Sequence, residues 1–174
     1  MKSKKVLLIL LTVVVLAAVL RFYKITEIPP GINQDEGSIG YTAYSLLKTG
    51  LDEYGRAFPV SFESFGDWKL PFYIYTVVPF VSVFGLSELA VRFPSALFGI
   101  ATVGLSYFLA MELLKSRKIA IIMSFLLAIS PWHIHLSRVE SESNAAVFFV
   151  VLGALLFVKS IKKASWLIIP SLIC

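Results

Sequence analysis

Uncharged apolar stretches recur along the chain at Val6–Leu20, Leu70–Leu86, Pro94–Met111, Ile119–Leu136 and Ser143–Val158, and the charged residues lie between them. A helix needs about 20 predominantly apolar residues to span a bilayer. Read with their flanks, these stretches predict spans over about 6–23, 93–114, 119–137 and 143–158, with a fifth beginning at 165–174. Met1-Lys-Ser-Lys-Lys5 before the first stretch resembles the start of a signal peptide, but no small-x-small cleavage site follows Ala17-Ala18. It is read as a retained span, anchored at its outer end by Arg21, Tyr23 and Lys24. The short final run predicts that the chain is the front part of a longer protein.

Residues 24–69 are polar and carry turn chemistry. Asn33 is a candidate N-cap with Glu36 three residues on, the capping-box spacing, and Ile39, Ala43, Leu46 and Leu47 repeat at helical intervals up to Gly50. A short amphipathic helix over about 34–48 follows. Thr49–Arg56 reads as turns and Ser61–Trp68 as irregular.

Composition settles the class. The chain is 57% hydrophobic and only 16% charged, where a soluble domain has roughly 45–50% apolar and 25% charged residues. The formal charge of +5 does not imply a nucleic-acid partner, because nine of the sixteen basic residues sit in three clusters, Lys2/Lys4/Lys5, Lys115/Arg117/Lys118 and Lys159/Lys162/Lys163. Such clusters mark cytoplasmic loops. An even number of crossings must separate the first two, and 6–23 with 93–114 already supply two. Leu70–Leu86, weakened by Pro71, Pro79 and Gly85, is therefore placed in the outer interface as an in-plane or re-entrant element. Parity then puts Asp35, Glu36, Asp67, Lys69, Arg92, Arg138, Glu140 and Glu142 on one extracytoplasmic face, with the N-terminus cytoplasmic. The single cysteine, Cys174, permits no internal disulfide and no sulfur-based metal site.

Polar groups held against a membrane usually pair or serve a site. Carboxylates and cations beside an in-plane apolar segment suit the handling of a lipid phosphate at the interface. Lys69, just before Leu70-Pro71, can hold a phosphate as a point charge, and Arg92 and Arg138 are further candidates. Asp35 can take a proton from an attacking hydroxyl, or bind a divalent cation together with Glu142. The blander alternatives are that Asp35 and Glu36 cap the 34–48 helix, that Lys69 snorkels, and that Arg92 and Arg138 anchor head groups. His133 and His135, near the outer end of a span, are read as interface packing. No Gly-rich phosphate loop is present, so no nucleotide cofactor is expected.

Four segments carry a resemblance: residues 29–41 (PPGINQDEGSIGY), 65–71 (FGDWKLP), 84–96 (FGLSELAVRFPSA) and 130–138 (SPWHIHLSR). Together they resemble bacterial polyprenyl-phosphate-dependent glycosyltransferases of the C-type membrane superfamily, in the branch of protein O-mannosyltransferases and lipid A aminoarabinose transferases. The resemblance implies an all-α, polytopic transmembrane fold in the plasma (inner) membrane, with a first outer loop over 24–92 that contains amphipathic in-plane helices. It implies that Asp35 is the catalytic aspartate, acting as base, with Glu36 beside it, that Lys69 contacts the donor phosphate, and that Glu142, or Glu140 two residues away, is a second acidic residue. The implied reaction moves a sugar from a polyprenyl-phosphate donor to a hydroxyl of a protein or cell-envelope glycan, with inversion. Two other readings remain open at this point: a non-enzymatic transporter or assembly subunit, and a ligase for whole lipid-linked glycans.

Overall fold

The computed structural model describes residues 3–139, 142–162 and 165–173. It is a helical membrane protein: three helices are long and apolar enough to cross a bilayer, α1 (Ser3–Phe22), α4 (Glu88–Leu114) and α7 (Glu142–Lys162). A fourth crossing is available from a bent pair. α5 (Arg117–Ile129) and α6 (Pro131–Arg138) meet at 55° instead of forming the single straight helix expected over 119–137. The bend has a chemical cause, since Pro131 has no N–H to donate into the preceding turn. One carbonyl at the end of α5, Ala128, is taken up by Arg21 at 3.3 Å. Arg21 is therefore fully buried and not an interfacial anchor. It also donates to His133 Nδ1 at 2.7 Å, which puts His133 inside the bundle.

The segment between α1 and α4 folds as a cap at one end of the bundle. α2 (Gln34–Thr49) starts at the Asn33 capping box and stops at Gly50, whose φ of 72° lets the chain turn away. Residues 62–69 form a small antiparallel hairpin, β1 (Phe62–Ser64) and β2 (Asp67–Lys69), where the sequence reading expected irregular chain. The signal was the two-residue turn Phe65-Gly66, in which both residues take positive φ, 50° and 83°. α3 (Pro71–Phe84) follows with proline at its first turn and is 14 residues long, about 21 Å, too short to cross the hydrocarbon core. A 3-10 turn (Ser165–Leu167) and the short α8 (Ile168–Ile173) close the described chain.

The largest buried cluster lies in this cap and joins Ile39, Ala43 and Leu46 of α2, Phe62 of β1, Tyr73, Ile74, Val77 and Val81 of α3, and Ala90 and Val91 of α4. Hydrogen bonds fix the same layers. Ser38 Oγ and Ser64 Oγ are 2.8 Å apart, and the Tyr73 hydroxyl donates to Val91 O at 2.9 Å. Between the long helices the contacts use small residues, Ala17, Ala110, Ala120 and Ala128, as lipid-embedded bundles do. Asn144 of α7 donates to the Ser95 carbonyl of α4 at 2.7 Å, and the Ser95 hydroxyl continues to Leu136 O of α6.

Gly99 marks the tightest crossing: a Cβ there would lie 2.7 Å from Ser137 Cβ and 2.9 Å from Arg21 Nε. Gly104, one and a half turns along the same helix, has open space around it. Gly99→Ala is expected to destabilise the protein by about 1–3 kcal/mol through overpacking, whereas Gly104→Ala is expected to change stability little. Thermal unfolding of the two variants in the same detergent checks this.

Candidate active site

α2 places Asp35 in its exposed first turn, and the hairpin delivers Lys69 to the same point. The Lys69 ammonium donates to Asp35 Oδ1 at 2.5 Å. The lysine side chain is only 13% exposed and the aspartate 64%, so a shielded cation meets an accessible carboxylate. Asp67, two residues before Lys69 on a strand of period two, lies on the same side of the hairpin. Glu142, at the first position of α7, accepts the Leu70 backbone N–H and lies within electrostatic reach of Lys69, Asp35 and Asp67. Its Oε1 is buried without a hydrogen-bond partner. Asp35 thus holds the ammonium directly, and Glu142 feels its charge from a third element. Glu140, the alternative second acid, lies outside the described residues.

The other expected site residues do different work. Glu36 is buried and belongs to Arg92, which donates through Nε and Nη2 to the two carboxylate oxygens at 2.7 and 3.0 Å. The remaining Arg92 N–H groups go to backbone carbonyls of Ile25 (2.8 Å), Pro29 (3.1 Å) and Gly31 (2.5 Å). All five guanidinium donors are thereby engaged, and none is left for a phosphate. Glu36 in turn accepts the Asn33 N–H at 3.1 Å, completing the capping box. Its neighbour in sequence, Asp35, is free of these duties.

Arg138 is likewise committed to the chain. It donates to Leu20 O at 2.8 Å, Tyr23 O at 2.6 Å, Lys24 O at 3.2 Å and Ile28 O at 2.9 Å. These carbonyls are the orphan acceptors at the end of α1 and the turn after it. Arg92 and Arg138, offered by sequence as phosphate ligands, are structural clamps on residues 20–31.

A groove of about 490 Å³ is lined by Leu70, the residue after Lys69, with Phe72, Phe149 and Val150, and Glu142 is the one charged residue in its wall. Its apolar residues come from the start of α3, from α7 and from Ile173 of α8.

The chain matches the family described as dolichyl-phosphate-mannose-protein mannosyltransferase over residues 11–172. It belongs to that family. No curated protein and no solved structure matches it. Membership makes the chain part of an integral membrane glycosyltransferase that draws on a lipid-linked sugar. Among the described residues no three His, Cys, Asp or Glu side chains gather at metal-binding distance, and the cation beside Asp35 is the Lys69 ammonium itself.

Because Arg92 and Glu36 are both buried, removing one charge strands the other. Glu36→Gln or Arg92→Met is expected to cost about 3–5 kcal/mol, and the doubly substituted protein should recover part of that loss. A double-mutant cycle of denaturation midpoints tests the clamp, and a cost no larger than that of a surface pair would refute it.

Proposed function

We propose that the chain carries the donor-binding and base-bearing part of an inverting glycosyltransferase, which moves mannose or a related sugar from a polyprenyl-phosphate donor to a hydroxyl group of a protein on the extracytoplasmic side. The observation that carries this reading is the Asp35–Lys69 pair, within electrostatic reach of Glu142, which lines an apolar groove together with Leu70. The family's description supports the donor and the protein acceptor. The three basic clusters support the side.

An ammonium has three N–H donors, and one of them holds Asp35. The other two are available for non-bridging oxygens of the donor phosphate, while the isoprenoid tail lies along Leu70, Phe72, Phe149 and Val150. The salt bridge orients the Asp35 carboxylate, and its high exposure leaves an oxygen for the acceptor hydroxyl. In the reaction the acceptor oxygen forms a bond to the anomeric carbon from the face opposite the phosphate. The bond from that carbon to the phosphate oxygen breaks, and the hydroxyl proton passes to Asp35. The lipid phosphate leaves with one more negative charge, which Lys69 offsets. Stabilising a developing charge in a site poor in water is often the largest catalytic contribution. Glu142 adds negative charge at the groove wall and, with its unpartnered oxygen, is positioned to accept from a sugar hydroxyl.

Asp35→Asn keeps size and helix-start propensity but removes the base. In the full-length protein it should lower the transfer rate by about 10²–10⁴ with normal membrane insertion and retained donor. Lys69→Ala should instead lose the donor, read by native mass spectrometry as depletion of a bound polyprenyl-phosphate sugar. Near-normal transfer by Asp35→Asn would remove the base assignment, and undiminished donor retention by Lys69→Ala would remove the phosphate assignment.

A further inference from the structure

The cap exposes apolar side chains that neither its own core nor the donor groove uses. Val60 is 86% exposed and Phe58 is 67% exposed. They are held in place and do not sit on a slack loop. Phe58 takes a φ of 42°, a conformation that costs a bulky residue about 1–3 kcal/mol. Its N–H donates to Gly50 O at 3.2 Å, and its ring closes over Gly50, where a Cβ would come within 3.2 Å of it. The Tyr75 hydroxyl pins the next residue by donating to Pro59 O at 2.8 Å. The fold thus uses strain and two hydrogen bonds to display a phenylalanine and a valine outward.

Three observations identify what covers them. The surface is continuous with lipid-facing protein: Phe72 bridges from this loop to the span α7, where its ring packs edge-on to Phe149 at 4.9 Å. From Phe72 the outward stripe of α3 runs through Thr76, Pro79 and Val83 and carries no charge. Its hydroxyls are taken up by the helix's own carbonyls, since Thr76 donates to Phe72 O at 2.7 Å and the adjacent Ser82 donates to Pro79 O at 2.6 Å. On the hairpin side the patch is bordered by Tyr54, Arg56 and Trp68, with the guanidinium over both rings at 5.5 and 5.4 Å. Aromatic and basic residues of this kind concentrate at the head-group level of a bilayer.

We infer that the loop at Phe58–Val60, continuing the in-plane apolar stripe of α3, is a lipid-inserted wedge that seats the cap in the bilayer leaflet on the Asp35 side. The Tyr54–Arg56–Trp68 cluster lies at the head groups. Lys69, between Trp68 and Leu70, is then fixed at the depth of a lipid phosphate, whichever lipid it binds. This inference needs only the membrane location and not the transferase reading.

The test is a depth measurement on the full-length protein in vesicles of phosphatidylethanolamine and phosphatidylglycerol. A nitroxide is attached at Val60→Cys in a background in which every native cysteine, Cys174 included, has been replaced, and for comparison at Glu53→Cys in the exposed turn before Arg56. Position 60 should relax more with oxygen than with a water-soluble nickel chelate, and position 53 should show the reverse. Both positions are exposed, so neither label disturbs packing. If the label at 60 were as open to the chelate as the label at 53, the wedge would be wrong, whatever the transfer assays showed. Phe58→Asp with Val60→Asp should further reduce shallow-lipid quenching of Trp68 several-fold, in a background lacking Trp132 and Trp166. Unchanged quenching would likewise overturn the wedge.

Discussion

A single guanidinium holds the functional end of this protein together. Arg92 rises from the start of α4, is fully buried, and gathers Glu36 and the carbonyls of Ile25, Pro29 and Gly31 around itself. A buried charge is costly unless all of its bonds are made, so the segment from the end of α1 to the start of α2 has little freedom once Arg92 is in place. The first turn of α2 is therefore fixed against the membrane helices. Asp35 sits in that turn, and its direction is set by its neighbour's ion pair.

The hairpin solves the other half of the problem. A lysine on a flexible stem makes a poor phosphate site unless its backbone is fixed. Here Phe62 and Ser64 bury one face of the hairpin against α2 and α3, and Pro71 starts a helix two residues after Lys69. The ammonium emerges from between two rigid elements and is largely shielded. Glu142 comes to the same place from α7, more than seventy positions along the chain. Packing of α4 against α7 through Asn144 and Ser95 brings it there.

Much of this was legible in the sequence. The capping box at Asn33 and Glu36, the stop at Gly50, the lack of charge in Leu70–Leu86 and the cluster Lys115/Arg117/Lys118 each rest on local chemistry, and each appears in the structure as a helix or a helix boundary. What the sequence did not show was which charges pair. Glu36 is adjacent to Asp35, so both looked catalytic, although the capping spacing already gave Glu36 a structural duty. Asp67 passed unremarked as a site residue, though its spacing from Lys69 on a strand put the two side by side. Arg21 looked like an anchor because it ends an apolar run. Only the bend at Pro131, which frees a carbonyl inside the bundle, explains why it is buried.

The cap divides its cations by chemistry. Arg21, Arg92 and Arg138 are each used as multi-donor clamps on carbonyls and, at Arg92, on a carboxylate. A planar fork of five donors suits that task, since one buried residue can satisfy several orphan acceptors at helix ends. The ammonium beside the accessible carboxylate belongs to a lysine. Its three donors rotate about one bond, so it can hold Asp35 and still turn toward an incoming anion without breaking a fixed geometry. An arginine at 69 would bind Asp35 with two parallel bonds and occupy the oxygen that the proposed reaction leaves for the acceptor hydroxyl. On this argument Lys69→Arg preserves the charge and lowers turnover more than donor binding, a split that an anchoring lysine would not produce.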